Sequence, residues 1–341
     1  MHRKVLIIKI IKRIIMTALL IGLLVVCVGC ADKQVEIVSE TRLLLDTYCT
    51  ITIHGSGDSG LLTDILDRAF EICRELEELF SITIEGSDVW KINHAGGEPV
   101  EVDAHTVEVV KAGLEFGDLS GGMFDITIGR LSRLWDFGNS NRVPEQDKID
   151  TARMTVDYRQ VNINGNYVRL SNPDAWIDLG AIAKGYIADR IAEYLLEQGV
   201  TSALIDLGRD IVTIGSRQDG RAWRVGMAKP FGNDSDYIGV LEVAAASVVS
   251  SGIYERGFEE AGVWYHHILN PQTGMPAWSD IVSATVIANN AVIGEGLSTI
   301  AVLGGSEKAP TLLTQVPGFI GAVLVLENGE IQTLGDVRFA G

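Results

Sequence analysis

Apolar and polar residues follow two different periods along this chain, and each period predicts a type of element. Residues 48–54 alternate between apolar and polar side chains, which predicts a β-strand. Residues 62–80 carry apolar side chains at helical spacing with acidic ones opposite, which predicts an amphipathic helix. A second helix is expected over about 104–116, and the Asn-Gly pair at 164–165 predicts a hairpin across 161–170.

The rest of the chain continues this mixture of short elements. Apolar segments at 203–208, 212–215, 223–227 and 282–288 predict strands, and residues 290–304 predict a helix. Helices and strands alternate without a regular βαβ repeat. We therefore expect an α+β fold with mixed or antiparallel sheets and packed helices.

One stretch, residues 176–189, combines a short apolar segment, a glycine-bracketed turn and the start of a helix. Residues 176–179 are expected to form a strand. Gly180 and Gly185 allow close backbone approach, a helix N-terminus offers free amides to an anion, and Lys184 adds a positive charge. The order of lysine and glycine excludes a P-loop. The stretch is either a phosphate-binding turn or a tight structural turn with a surface lysine.

Two neighbouring segments, residues 121–129 and 134–138, combine glycines and aromatic side chains with Asp125 in an apolar setting. Such a segment suits a planar ligand that lies against the backbone. A glycine-rich structural turn has the same composition, so both interpretations stay open.

Glu295 and Thr299 are four residues apart on the predicted helix 290–304 and so share one face. A carboxylate and a hydroxyl are hard oxygen ligands of the kind that Mg²⁺ prefers. The same spacing is common on solvated helix faces. The interpretation as a metal site is supported only if the pair lies beside an anion-binding turn.

The beginning of the chain predicts export. Residues 1–29 hold five basic and no acidic side chains, an apolar run covers 14–28, and Gly29-Cys30 ends it. This pattern predicts a lipoprotein signal peptide with Cys30 as the lipidated first residue, and an uncleaved membrane anchor is the alternative. We expect a tether over 30–41, a folded body over 42–341, and a location on the extracytoplasmic face of the cell membrane.

The composition of the chain limits the classes of molecule that it is expected to bind. With 341 residues, of which 47% are hydrophobic, the chain can bury a sizeable core. Without its signal it would hold 23 basic against 45 acidic residues, which argues against a nucleic-acid partner and means that a polyanionic ligand needs local positive charge. Cys49 and Cys73 are expected to be buried free thiols, although export permits a disulfide.

Taken in order, these segments resemble the ApbE-type FAD:protein FMN transferases over almost the whole body. Four segments carry the resemblance, each similar to a motif of that family: Gly122-Met-Phe-Asp-Ile-Thr-Ile-Gly129 with Leu134-Trp-Asp-Phe-Gly138, Asp178-Leu-Gly-Ala-Ile-Ala-Lys-Gly-Tyr186, His267-Ile-Leu-Asn-Pro-Gln-Thr-Gly274, and Gly294-Glu-Gly-Leu-Ser-Thr299. The resemblance implies a single body with a T-fold-like core.

The resemblance also implies roles for individual residues. Mg²⁺ on the FAD pyrophosphate would be bound by the Ala181 carbonyl, the Glu295 carboxylate and the Thr299 hydroxyl. His267 would be the catalytic base, with His266 beside it as the alternative. The FAD site would be lined by Met123, Phe124, Asp125, Asp178, Lys184 and Leu269.

This sequence departs from the family pattern at several positions. Asn270 and Glu295 each stand where the family usually has Asp, and Glu295 is one methylene longer than the usual metal-binding acid. Arg209-Asp210 replaces the usual Gly-Asn, and Thr83 falls where many members have a flavin-contacting Tyr. The balance between transfer and hydrolysis is therefore expected to differ here.

The function implied is the Mg²⁺-dependent transfer of FMN from FAD to a Ser or Thr hydroxyl, with release of AMP. The acceptor would be an exported flavoprotein or the FMN-binding domain of a membrane redox complex. Two alternatives stay open: a pyrophosphatase that yields FMN and AMP, and a non-catalytic lipoprotein that binds FAD.

Overall fold

An eight-stranded antiparallel sheet forms the centre of the molecule. The computed structural model describes residues 35–56, 59–233 and 235–341, so the predicted signal peptide and Cys30 lie outside the described residues. The strands of the described residues are β1 (Val35–Leu44), β2 (Thr47–Ser56), β3 (Val100–Glu101), β4 (Val161–Asn164), β5 (Tyr167–Leu170), β6 (Ala203–Leu207), β7 (Asp210–Ile214), β8 (Trp223–Ala228), β9 (Tyr237–Val243), β10 (Ser247–Gly252), β11 (Gly257–Glu260), β12 (Val263–His266), β13 (Ile281–Ala288), β14 (Phe319–Leu326) and β15 (Ile331–Gly335).

Seven α-helices accompany these strands within the described ranges. They are α1 (Ser59–Phe80), α2 (Asp88–His94), α3 (Ala104–Ser120), α4 (Gly129–Trp135), α5 (Gln146–Arg153), α6 (Ala183–Glu197) and α7 (Ala291–Thr314). The large sheet has the order β1-β2-β6-β7-β10-β13-β14-β15, with every neighbouring pair antiparallel. The predicted α+β fold with antiparallel sheets is confirmed.

Both faces of this sheet are covered at strand β13, which explains the unbroken apolar sequence of that strand. All eight residues of β13 are buried. Because side chains alternate along a strand, Val286 belongs to the core on the side that α7 covers, whereas Ile287 belongs to the cluster of the β8–β9 hairpin with Trp223 and Leu241. Strand β2, nearer the edge of the same sheet, shows instead the polar alternation of residues 48–54.

A glycine divides α7 near the predicted end of the helix. Gly305 has φ 69° and ψ 178°, so the regular helix that begins at Ala291 breaks after Gly304 and a second helical segment continues to Thr314. Glycine adopts this conformation at little cost because it has no Cβ. The first segment corresponds to the helix predicted over 290–304.

The predicted tether was wrong for residues 35–41, because they belong to strand β1. This strand pairs with β2 along ten residues, and hydroxyl groups link the two strands across their exposed side. Ser39 Oγ lies 2.7 Å from Thr52 Oγ1, and Thr41 Oγ1 lies 2.8 Å from Thr50 Oγ1. An edge strand with one solvated face has a polar sequence, which explains the error.

Two smaller expectations have clear outcomes. The strand expected over 176–179 is wrong: this segment is extended but makes only an isolated bridge between Trp176 and Ile128. Cys49 and Cys73 are buried free thiols, as expected. Within the described part of the chain, no helix combines the length and the apolar character needed to cross a membrane.

Candidate active site

The N-termini of α6 and α7 meet, and each helix caps the other. The Gly185 amide in the first turn of α6 donates to Glu295 Oε2 of α7 over 2.7 Å. In return, Asp189 of α6 accepts from the amides of Ala291 (2.7 Å) and Val292 (2.9 Å) at the start of α7. The first amides of a helix have no partner within it, and carboxylates are the acceptors that its dipole favours. Glu295 is therefore held in place by the neighbouring helix as well as by its own.

Glycines permit this close approach. A Cβ on Gly185 would lie 2.6 Å from the Ala291 carbonyl oxygen, so α6 could not reach α7 with any other residue at this position. The two glycines that flank Glu295 act similarly. A Cβ on Gly294 would lie 2.8 Å from Val249 Cγ2, and one on Gly296 would lie 2.5 Å from Phe116.

A lysine and two acids share the space beside this junction. Lys184 forms an ion pair with Asp210 at the start of β7, and its Nζ lies 3.4 Å from Glu295 Oε1. Asp210 is 1% exposed and Glu295 is 4% exposed. Burial raises the pKa of both carboxyl groups, against the opposing effect of Lys184. Burial by itself would lower the pKa of Lys184, but the two carboxylates outweigh it and raise this pKa.

The residues expected to bind a metal fit a hard divalent cation. In a regular first turn, the Gly185 amide would bond to the Ala181 carbonyl; here it donates to Glu295 and does not occupy that carbonyl. Thr299 follows Glu295 by one turn of α7, and its hydroxyl lies 3.3 Å from Ser251 Oγ. Carboxylate, hydroxyl and carbonyl oxygens are the donor types that Mg²⁺ takes. Among the described residues, no three His, Cys, Asp or Glu side chains are grouped so that they could hold a metal ion.

Asp178 shapes the glycine-bracketed turn from inside. Its Oδ1 accepts from the Gly180 amide (2.9 Å), and its Oδ2 accepts from the Ser132 hydroxyl of α4 (2.7 Å). An aspartate that bonds to the amide two residues later forms an Asx turn. Asp178 therefore fixes the approach of the chain to α6.

The segment 123–125 lies beside α3 and α7. The Phe124 ring packs against Phe116, whose ring also contacts Gly296 next to Glu295, and Met123 lies near Gly304. Asp125 is buried, accepts from the amide and hydroxyl of Thr127 (2.8 and 2.6 Å) and from the Tyr158 amide (2.9 Å), and burial raises its pKa. Its carboxylate holds local backbone in place.

Leu269 lies in a separate apolar region, which we call the aromatic cluster. The cluster joins two of the sequence motifs, because Trp135 is fully buried against Leu269 and donates from Nε1 to the Gly274 carbonyl over 2.8 Å. Phe137 and Tyr265 stack on Trp135 at centroid distances of 5.2 and 5.8 Å, and Phe258 lies tilted against it at 6.5 Å. The members are Leu131, Trp135, Phe137, Ile149, Phe258, Tyr265 and Leu269.

The two adjacent histidines differ in their surroundings. His266 is 2% exposed, and its Nε2 lies 3.0 Å from the Ala277 carbonyl oxygen. His267 is half-buried, and its Nδ1 lies 3.3 Å from the Arg256 carbonyl oxygen. Burial, followed by the effects of His266, Arg256 and Lys184, lowers the pKa of His267 to about 4. His267 is therefore the histidine that can face a ligand, and it is neutral at physiological pH.

From the sequence, Arg209 and Asp210 were noted only because they replace the Gly-Asn pair that is usual in the family, and no role was predicted for either. Arg209 adopts φ 77°, a conformation that favours glycine, and its guanidinium lies 3.5 Å from Glu255. Asp210 contacts Lys184 across 26 residues of sequence, which no local pattern could reveal. Thr83 is exposed, and its amide and hydroxyl contact the Ser81 hydroxyl.

Known proteins resemble this chain over most of its length. Residues 45–324 match the model of the ApbE family. A FAD:protein FMN transferase of Treponema pallidum (strain Nichols) is 33% identical over 335 residues, which cover 92% of each chain. Another, from Klebsiella pneumoniae (strain 342), is 35% identical over 271 residues, which cover 78% of this chain and 84% of the relative.

Solved structures show the same fold. The crystal structure of the ApbE protein from Thermotoga maritima has a TM-score of 0.79 and 33% identity, and the match covers 87% of this chain and 96% of that one. The flavin transferase ApbE from Vibrio cholerae has a TM-score of 0.78 and 26% identity, with 89% and 98% covered.

Proposed function

Because this chain belongs to the ApbE family, we infer that it is a FAD:protein FMN transferase, which moves FMN from FAD to an acceptor protein. We propose further that the reaction requires Mg²⁺, that the acceptor group is a Ser or Thr hydroxyl, and that AMP is released. One observation supports this most strongly: the helix N-terminus that carries Lys184 lies directly against Glu295. An anion-binding terminus and a hard-cation donor set thereby adjoin, as a metal-bound pyrophosphate requires.

The chain's own residues supply binding and charge. Glu295, Thr299 and the Ala181 carbonyl would hold the cation, which when bound neutralises pyrophosphate charge and stabilises the leaving phosphate. Lys184 binds phosphate oxygens through its ammonium, since the amides of Ala183 and Gly185 in the same turn already donate to the Leu179 carbonyl and to Glu295. Met123, Phe124 and the backbone near Asp178 and Leu269 line the rest of the FAD site.

The reaction is a single displacement at phosphorus. The acceptor hydroxyl oxygen attacks the FMN-side phosphorus, a new phosphoester bond forms, and the bond to the bridging oxygen breaks. AMP leaves with that oxygen, and the hydroxyl proton passes to His267. Because a carbonyl only accepts hydrogen bonds, Nδ1 of His267 carries the proton shared with Arg256, which leaves Nε2 unprotonated as the base.

The test is a reaction of the purified protein with FAD, Mg²⁺ and an FMN-binding acceptor domain, followed by mass spectrometry. We expect covalent FMN on one Ser or Thr and an equal amount of AMP. Release of AMP at the same rate without acceptor identifies a pyrophosphatase. Intact FAD after long incubation identifies a binding protein and overturns the proposal. Glu295→Ala is the matched negative control.

The sequence of residues 1–30 supports a location on the extracytoplasmic face of the membrane, through a lipid on Cys30. The acceptor would then be an exported flavoprotein or a domain of a membrane redox complex on the same side. Metabolic labelling with a radioactive fatty acid tests the anchor: we expect label on the wild type and none on Cys30→Ala. Equal labelling of both would rule out lipidation at Cys30.

A further inference from the structure

The two carboxylate oxygens of Glu295 have different partners: a backbone amide of α6 for one, and the Lys184 ammonium for the other. Oε2 accepts the Gly185 amide at 2.7 Å and holds α6 against α7. Oε1 faces the ammonium of Lys184 at 3.4 Å. Within the described part of the chain Oε1 accepts no backbone amide, so it is the oxygen with the most room for a cation while the helix junction stays intact, and Lys184 faces the same oxygen.

Asp210 decides how strongly Lys184 competes for that oxygen. It is 1% exposed, it begins strand β7 where β7 pairs with β10, and it holds Lys184 in a closer ion pair than Glu295 does. A lysine ammonium is a compact charge with three donors on a flexible chain, and it moves toward the nearest carboxylate. With Asp210 present, Lys184 is drawn away from Oε1.

We propose that Asp210 is a positioning residue that holds Lys184 and so keeps Glu295 Oε1 available to the divalent cation. This inference rests on the proposed function, because it assumes that Glu295 binds that cation. Asp210 lies outside the four sequence motifs. Its role is to position Lys184, and it does not contact the cation itself.

The charge balance agrees with this role. One lysine faces two buried carboxyl groups, with Asp210 in the closer contact and Glu295 Oε1 at 3.4 Å, so its charge is shared between them. The neighbouring acid, Glu255, is paired with Arg209 at 3.5 Å. If an asparagine replaced Asp210, Lys184 and Glu295 would form a neutral pair, and a cation would have to break that pair before it could bind.

The test is isothermal titration of the purified full-length protein with Mn²⁺ and with Mg²⁺, without FAD. We expect Asp210→Asn to bind either cation about tenfold more weakly than the wild type, since a charge-assisted contact is redirected onto Glu295. Asp206→Asn is the matched control, because it removes a nearby half-buried carboxylate that accepts from the Arg209 amide. Its dissociation constant should stay within about twofold of the wild-type value.

A double-mutant cycle separates action through Lys184 from direct action on the cation. In a Lys184→Met background, Asp210→Asn should change the dissociation constant by less than about twofold. A tenfold loss that persists in that background would mean that Asp210 acts on the cation itself, which overturns the proposal. Equal affinity of Asp210→Asn and the wild type overturns it as well.

Lys184→Met leaves two buried carboxylates without their ammonium, so its folding must be checked by circular dichroism. If it does not fold, a crystal structure of Asp210→Asn decides the question. We expect Lys184 Nζ within hydrogen-bond distance of Glu295 Oε1, and an ammonium that stays beside the substituted side chain of β7 overturns the proposal. If Glu295→Ala binds Mn²⁺ as tightly as the wild type, the proposed cation site fails, which is a different result from failure of Asp210.

Discussion

The helix junction and the aromatic cluster both lie at sequence motifs, but different forces hold them together. At the junction, buried carboxylates bond to helix amides and to Lys184, and glycines bring the backbones close. In the aromatic cluster, Trp135 is fully enclosed by rings and aliphatic side chains. Substitutions at the junction should therefore mainly affect catalysis, and substitutions in the cluster should mainly affect stability.

The largest effect is expected for Trp135→Ala, which removes the central side chain of the aromatic cluster. We expect a loss of about 3–5 kcal/mol in the free energy of unfolding, from the cavity and the lost contacts. Urea denaturation measures it. Trp135→Phe is the control: it keeps a ring and loses the bond to Gly274, and should cost about 1 kcal/mol for that bond. Equal losses in both variants would contradict packing as the main force.

Glu295→Ala should strongly reduce activity and only slightly reduce stability, in contrast to Trp135→Ala. We expect kcat/KM for FMN transfer to fall by roughly 10²–10³-fold, because the cation loses its carboxylate. Its unfolding free energy should fall by only about 1–2 kcal/mol, the usual cost of a lost helix cap. Glu295→Asp keeps the charge and should retain most of the activity at saturating Mg²⁺. A fully active Glu295→Ala enzyme would contradict a catalytic role for the helix junction.

Asp189→Ala tests whether the junction is a single unit. Two amides at the start of α7 lose their acceptor, so we expect the unfolding free energy to fall by about 1–2 kcal/mol. Because α7 carries Glu295, the Mg²⁺ concentration needed for half-maximal activity should also rise. A matched change at an exposed helix start, Asp103→Ala at the N-cap of α3, should lower stability without changing the Mg²⁺ requirement.

His267 gives a prediction for the pH profile. Its lowered pKa of about 4 means that the ring stays neutral, and able to accept a proton, until the pH falls to that value. At saturating Mg²⁺, where Glu295 is held ionised, the acid limb of kcat/KM due to this base should lie near pH 4. A limb near the ordinary histidine pKa of about 6.5 would indicate an exposed base instead. His267→Gln should remove the limb.

The smallest effect is expected at two consecutive residues with positive φ, Gly208 (69°) and Arg209 (77°). Arg209→Gly relieves a left-handed conformation and loses a partly exposed ion pair, so we expect about 0.5 kcal/mol of added stability. Gly208→Ala should be destabilising, because its Cβ would lie 2.5 Å from Thr47 Cγ2. Thermal unfolding of both variants tests whether Arg209→Gly stabilises the protein and Gly208→Ala destabilises it. Stabilisation by both substitutions would contradict this prediction.

Local patterns predicted the elements and the motif residues well. Residues 48–54, 62–80 and 282–288 fall within β2, α1 and β13, and the Asn-Gly hairpin lies where expected. The errors lie where burial is not visible in sequence. The polar edge strand β1 was predicted as a tether, and the extended segment 176–179 was predicted as a strand although it has no ladder partner.

The sequence by itself determined the periodic elements, the glycine turn with Lys184, and the pairing of Glu295 with Thr299 on one helix face, because each depends on neighbours within a few residues. Only the tertiary structure decided that α6 and α7 cap each other, that His267 and not His266 is available, and that Asp210 holds Lys184. These contacts join segments that are far apart in the chain. They depend on close backbone approach and on burial, and neither is encoded in local spacing.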